Sequence, residues 1–309
     1  MSQVFKYIRD FYFREFNPLY LVLVMLLMGT IIYFNYWHQL EKRYAGGGDS
    51  WLRNFAGYYL LYFIPFAAAF ALQLFFYADC SYWKNKWFWA ILLLAPAIFS
   101  FRVNFYFHET ALARLWNGDT LRYWNKCLGW VIRVLVALVP VFIIWFIKDK
   151  SNQPFYGTNA LDNIRPYLLM LLVMLPLIAI ASTQKDFLQV YPKATFISKL
   201  DITHKNGRYF FYELCYGFDF ISIEFFFRGF LILALAKICG THCIIPMACF
   251  YCAIHLGKPM GEAISSFWGG ILLGIVSFNT GSIWGGLIVH LGIAWLMELG
   301  GWAGSLLKK

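Results

Sequence analysis

The chain has 309 residues, of which 61% are hydrophobic and only 14% are charged. Soluble domains are roughly half apolar, so this composition excludes a soluble globular fold and indicates a membrane protein. The formal charge of +10 does not indicate nucleic-acid binding, because lysine and arginine lie mainly in the loops between apolar runs, where they set topology and meet anionic headgroups.

The apolar runs, taken in chain order, predict the membrane spans. A helix needs about 20 mostly apolar residues to cross a bilayer core of about 30 Å. The runs lie at 18–37, 55–77, 87–107, 128–147, 164–182, 209–238, 242–256, 263–278 and 281–299. Because the run at 209–238 is too long for one straight span, we expect it to tilt, kink or divide. The predicted fold class is an all-α polytopic membrane helix bundle with eight or nine transmembrane helices.

The character of the chain changes along its length and predicts four regions. Residues 1–182 are bulky and poor in acids, and we expect them to form transmembrane helices that wrap the rest on the lipid side. Residues 183–208 form a polar, amphipathic connection. Residues 209–300 carry acids, histidines and small residues, as in a tight polar-cored bundle. Residues 301–309 form a basic tail.

The stretch ISIEFFFRGF at 221–230 places two charges inside an apolar run. Glu224 and Arg228 are spaced i, i+4 and therefore share a helix face, where they can pair. A lone charge at the bilayer centre costs about 2.5–3.5 kcal/mol on insertion scales. A buried ion pair that only orients helices is one reading of this stretch.

Two later spans each carry a histidine in an apolar setting, His255 in YCAIHLGKP and His290 in GGLIVHLGIAW. Polar groups in lipid seek one another or a watery cavity, so we expect Glu224, Arg228 and both histidines to converge. A carboxylate beside histidines can activate water for attack on a peptide carbonyl, directly or through a divalent metal such as zinc. If a metal is present, its expected ligands are Glu224, His255 and His290. The residue types alone do not decide whether water is activated directly or by a metal.

The order of these motifs resembles a known family. EFFFRG at 224–229, Y-x-x-x-H at 251–255, TGSI at 280–283 and the histidine at 290 are similar to the CPBP family of intramembrane proteases. These are the CAAX-prenyl-protease and bacteriocin-processing proteins, also called abortive-infection proteins, and the resemblance covers roughly residues 209–295. It implies an all-helical bundle in a bacterial cytoplasmic (inner) membrane, with a water-accessible site that faces the cytoplasm and cleaves membrane-associated peptides or proteins.

The first family motif is a pair of glutamates followed by an arginine. Glu224 matches the second glutamate and Arg228 the arginine, but Ile223 stands where the first glutamate, usually credited with activating water, is expected. Another acid could substitute. Asp219 lies one turn before Ile223 on about the same helix face and is the preferred substitute, while Glu224 acting itself is the equal alternative.

The resemblance also assigns the histidines. His255 matches the histidine of the second motif, which acts with the glutamate on water. His290 matches that of the third motif, which supports the oxyanion, but Ala294 replaces the asparagine that often follows four residues later. Glu213 and Glu262 are weaker candidate acids. Glu213 is better interpreted as an acid at the membrane surface, and Glu262 as a cap of the following helix.

Three functions remain open from the sequence. The leading one is an intramembrane endopeptidase in which Glu224 or Asp219 acts with His255, His290 holds the oxyanion and Arg228 orients the carboxylate. The second is a catalytically inactive relative that serves as a membrane scaffold or immunity protein and binds or protects a partner such as a secreted peptide. The third is a proton-coupled transporter that uses the buried groups as a relay. The expected partners are membrane lipid and a membrane-associated peptide or protein, with no nucleic acid.

Overall fold

The computed structural model describes residues 2–48, 50–161 and 163–307, and within these ranges it contains helices and one isolated bridge, between Thr158 and Ser282, but no strand. The helices in chain order are α1 (Ser2–Asp10), α2 (Pro18–His38), α3 (Trp51–Gln73), α4 (Lys86–Val103), α5 (His108–Leu112), α6 (Gly118–Lys148), α7 (Arg165–Ala181), α8 (Lys185–Val190), α9 (Thr195–Ser198), α10 (Lys205–Glu224), α11 (Leu235–Cys239), α12 (Ile244–Ala253), α13 (Met260–Thr280) and α14 (Trp284–Leu307). A π-helical segment, Phe225–Ala234, joins α10 to α11.

The predicted all-α polytopic bundle is confirmed. Within the described ranges, seven helical stretches are long and apolar enough to cross a membrane: Pro18–His38, Trp51–Gln73, Lys86–Leu112, Gly118–Lys148, Lys205–Ala253, Met260–Thr280 and Trp284–Leu307. Two features account for the difference from eight or nine spans. Helix α7 is apolar, but with 17 residues it is too short to be counted among the seven. The stretch Lys205–Ala253, of 49 residues, is counted once although it covers two of the predicted runs.

That long stretch is an antiparallel hairpin. Gly240 follows α11 with a φ of 55°, a conformation that only glycine adopts at little cost. Beyond it the chain returns along itself, because Sγ of Cys243 lies 3.7 Å from the carbonyl oxygen of Ile232, and the rings of Phe227 and Tyr251 are 5.0 Å apart. The turn falls at the predicted boundary between the runs at 209–238 and 242–256. The run at 209–238, expected to tilt, kink or divide, is one continuous helical stretch that changes to π-helical geometry at Phe225.

Helix α12 forms the centre of the bundle. All ten of its residues are buried, as expected for a helix that is apolar on every side. The ring of Phe250 lies 5.4 Å from those of Tyr62 and Phe66 on α3 and 5.9 Å from that of Phe99 on α4. The first half of the chain thus supports the segment that ends at His255.

The polar connection between α7 and α10 is bound to the last two helices. The carboxylate of Glu298 on α14 accepts hydrogen bonds from the backbone N–H groups of Lys193 (3.0 Å) and Ala194 (3.3 Å). The hydroxyl of Tyr191 donates to Glu262 on α13 at 3.1 Å. Burial lowers the pKa of Lys193 to about 8. The connection is therefore an ordered part of the fold.

Candidate active site

The hairpin places the two charges of ISIEFFFRGF in the interior. Glu224 is the last residue of α10, and Arg228 lies in the π-helical segment, a rare geometry that occurs often at functional sites. Both side chains are fully buried, with Nη1 of Arg228 3.2 Å from Oε1 of Glu224. The predicted ion pair is present.

His290 on α14 completes a second contact with the same carboxylate oxygen. Its Nδ1 lies 2.9 Å from Oε1 of Glu224, and its Nε2 lies 3.1 Å from the hydroxyl of Tyr251. An ionised carboxylate only accepts hydrogen bonds, so we assign the proton of the neutral imidazole to Nδ1. The hydroxyl of Tyr251 then donates to Nε2. The ring of Phe220 packs edge-on against the imidazole, with centroids 4.5 Å apart.

His255 lies in the turn between α12 and α13 and contacts Tyr251 rather than Glu224. Its Nδ1 lies 2.8 Å from the backbone carbonyl oxygen of Tyr251. A carbonyl only accepts, so Nδ1 carries the proton and Nε2 carries the lone pair. Burial, followed by the charge of Lys258, lowers the pKa of His255 well below its ordinary value of 6.5. The side chain is thus a neutral imidazole with a free basic nitrogen.

Arg228 supplies a buried positive charge that the ion pair with Glu224 engages only in part. Its guanidinium carbon lies 4.1 Å from the ring centroid of Tyr251. The Nε, Nη1 and Nη2 atoms are buried without a hydrogen-bond partner in the described part of the chain, as is Oε2 of Glu224. Buried polar groups of native proteins rarely remain unpaired without a functional reason.

Gly286 on α14 makes room for the carboxylate of Glu224. A Cβ atom at this position would overlap Oε2 of Glu224. Glycine is therefore required because the two helices approach each other closely here, and the sequence pattern alone did not mark it.

Asp219 is not brought to this group. It forms an ion pair with Arg102 on α4, a side chain that also lies 3.3 Å from the hydroxyl of Ser222. Ile223, the position that Asp219 was expected to approach, is buried among apolar side chains of the core. The structure therefore places the preferred substitute acid in a separate contact, on the side of α10 that faces α4.

The weaker candidate acids are also placed elsewhere. Glu262 pairs with Lys258, four residues away, at 2.5 Å, and accepts a hydrogen bond from the hydroxyl of Tyr191. Within the described ranges, Glu213 has no hydrogen bond or ion pair with Glu224 or either histidine, and its Oε2 is buried without a hydrogen-bond partner. Ala294 is buried in an apolar cluster with Tyr216 and Phe220.

Tyr251 is a member of this group of contacts that sequence reasoning missed. Its hydroxyl contacts His290, its backbone carbonyl holds His255, and its ring lies under the guanidinium of Arg228. The signal was present in Y-x-x-x-H, since a tyrosine four residues before a helical histidine lies on the same face. Nothing local, however, indicates where its hydroxyl points.

The contacts do not fit a metal centre. Structural and catalytic zinc sites use at least three protein ligands, but the described residues contain no group of three histidine, cysteine, aspartate or glutamate side chains placed to hold a metal ion. Glu224 and His290 are in contact, yet Oε1 faces the guanidinium of Arg228, whose positive charge opposes a cation at that oxygen.

The comparisons with known proteins agree with the resemblance read from the sequence. Residues 210–296 match a family model described as type II CAAX prenyl endopeptidase Rce1-like. The matched segment includes Glu224, Arg228, Tyr251, His255 and His290, and the predicted resemblance is confirmed over this segment. No curated protein and no solved structure matches the chain.

Proposed function

We propose that the protein is an intramembrane endopeptidase that hydrolyses peptide bonds of membrane-associated proteins or peptides. The observation that carries this proposal is the continuous contact path Glu224–His290–Tyr251–His255, with hydrogen bonds of 2.9, 3.1 and 2.8 Å. It joins three helices through groups that are costly to bury in an apolar interior, and it lies within the segment that matches an endopeptidase family.

The free lone pair of His255 makes this residue the general base. Its Nε2 takes a proton from a water molecule while the water oxygen bonds to the carbonyl carbon of the substrate. Glu224 is less suited to this role, because its Oε1 already faces both Arg228 and His290. In this mechanism Glu224 holds His290 and neutralises Arg228.

The negative charge that develops on the carbonyl oxygen requires a fixed positive group. The Nε and Nη2 groups of Arg228 have no hydrogen-bond acceptor in the described ranges, and preorganised donors of this kind stabilise such charge strongly in a dry site. His290 accepts at Nε2 in the observed arrangement, so the oxyanion role expected for it passes to Arg228 in this proposal.

A bacterial cytoplasmic membrane as the location stays a prediction.

A scaffold that binds a partner without cleaving it is the second candidate. Two observations favour it: Ile223 and Ala294, at positions where the family usually has polar residues, are both buried in apolar clusters.

For the proposed endopeptidase, the description of the matching family makes a prenylated peptide the first substrate class to test.

The test is a map of protein N- and C-termini in membranes of cells that make the wild type or His255→Ala at equal abundance. His242→Ala is the matched control, since this partly buried histidine packs against Tyr77 at 4.5 Å and has no contact with the site. New termini that depend on His255 but not on His242 support proteolysis and name a substrate. Identical maps for all three proteins would favour the scaffold.

A further inference from the structure

The hydroxyl of Tyr251 occupies a position that the roles above leave unexplained. The side chain is 5% exposed, and its hydroxyl makes one hydrogen bond among the described residues, to Nε2 of His290. A side chain that only filled space would not need a hydroxyl, since phenylalanine would pack equally well against Phe227. The hydroxyl is therefore held with its proton directed along a defined line.

The groups behind this hydroxyl have the connectivity of a catalytic relay. A carboxylate contacts Nδ1 of the imidazole, and Nε2 contacts the hydroxyl, the same order of groups as in a serine–histidine–aspartate triad. Here the hydroxyl is phenolic and far more acidic than that of serine, so it is better suited to release a proton. The guanidinium of Arg228, 4.1 Å from the ring centroid, stabilises the negative charge that release of the proton leaves behind.

The proposed base, His255, lies next to the phenol of Tyr251. The rings of Tyr251 and His255 are 4.7 Å apart, and His255 is held through the backbone of the same tyrosine. Hydrolysis of a peptide bond needs both a group that accepts a proton from water and one that gives a proton to the departing amine. Among the described residues, Tyr251 is the side chain with an O–H proton that contacts both histidines.

We propose that Tyr251 is the proton donor to the leaving amine, an inference that rests on the proposed function. His255 first takes the water proton, and the water oxygen forms the new C–O bond. When the C–N bond of the tetrahedral intermediate breaks, the hydroxyl of Tyr251 turns from Nε2 of His290 toward the amine. The electron pair of the broken bond stays on nitrogen and receives the phenolic proton. The phenolate then regains a proton from the protonated His255, which restores both residues and leaves one acid and one amine product.

The test compares two leaving groups on the same variant. The substrates are the peptide whose cleavage the terminus map identifies, and the p-nitrophenyl ester of the residues on the amino side of that cut. Nitrophenolate can leave without receiving a proton, whereas an amine must receive one. Tyr251→Phe should lower kcat/KM for the peptide by about 10²- to 10⁴-fold, the usual contribution of a general acid, and change that for the ester by less than about fivefold.

Tyr62→Phe is the matched control. Tyr62 is also buried and packs against Phe250, next to Tyr251 in the chain, but it has no hydrogen bond to either histidine; both substrates should be cleaved as by the wild type. Equal losses of peptide and ester cleavage in Tyr251→Phe would overturn the inference and assign a structural role. Unchanged peptide cleavage would also overturn it. Absence of any cleavage by the wild type would overturn the proposed function, and the role of Tyr251 with it.

Discussion

Oε1 of Glu224 lies 2.9 Å from Nδ1 of His290, although the two residues are 66 positions apart in the chain. This contact joins α10 to α14 inside the bundle and gives the buried carboxylate a second partner besides Arg228. A carboxylate shared by a guanidinium and an imidazole is neutralised and fixed in place. In the proposed mechanism Glu224 therefore acts through the groups that it orients.

Glu224→Gln should lower the stability of the protein in detergent by about 3–5 kcal/mol, because it leaves the charge of Arg228 buried without a counterion. The double variant Glu224→Leu, Arg228→Met should recover most of this loss, since apolar residues of similar size often replace a buried pair without cost, but it should remain inactive. Thermal unfolding followed by tryptophan fluorescence, with cleavage measured on the same samples, checks both statements. A double variant that is both stable and active would show that the pair has only a structural role.

The pH dependence of cleavage should reflect the low pKa of His255. The active base is the neutral imidazole, so activity is lost as pH falls through the folded-state pKa. Burial and the charge of Lys258 place that pKa well below 6.5, and the neighbouring groups His290 and Arg228 act in the same direction. The expected profile of kcat/KM stays level from about pH 8 to pH 6.5 and declines only in more acidic buffer. An acidic limb centred above pH 6.5 would contradict His255 as the base.

Asp219→Asn should affect stability more than catalysis, because Asp219 pairs with Arg102 outside the group around Glu224. Combined with Arg102→Met in a double-mutant cycle, it should show a coupling energy of about 0.5–3 kcal/mol, as found for residues in contact. The folded fraction of Asp219→Asn should cleave substrate at a rate close to that of the wild type. A stable but inactive Asp219→Asn would instead support Asp219 as the catalytic acid group that the sequence favoured.

Gly286→Ala should disturb the carboxylate without changing any charge. The added methyl group overlaps Oε2 of Glu224, and overpacking of this kind costs about 1–3 kcal/mol; displacement of the carboxylate from His290 should also reduce cleavage. Gly269→Ala is the matched control, since a Cβ there meets no atom within 4 Å, and alanine favours a helix over glycine by about 1 kcal/mol. Equal behaviour of the two variants in unfolding and cleavage assays would refute the tight fit.

The amino-acid sequence by itself determined the fold class and one half of the site. The length of the apolar runs requires membrane-crossing helices, and the i, i+4 spacing of Glu224 and Arg228 places them on one face whatever the rest of the chain does. The expectation that His290 approaches Glu224 was also correct, since buried polar groups must find partners.

Only the tertiary structure decided which partner each remaining group has. Asp219 contacts Arg102, 117 positions away, because the rotation of α10 about its axis turns that side chain toward α4, and local spacing does not specify this rotation. Tyr251 joins both histidines because the hairpin at Gly240 returns α12 alongside the π-helical segment. Contacts within a helix follow from sequence periodicity, whereas contacts between helices depend on how all their surfaces pack together.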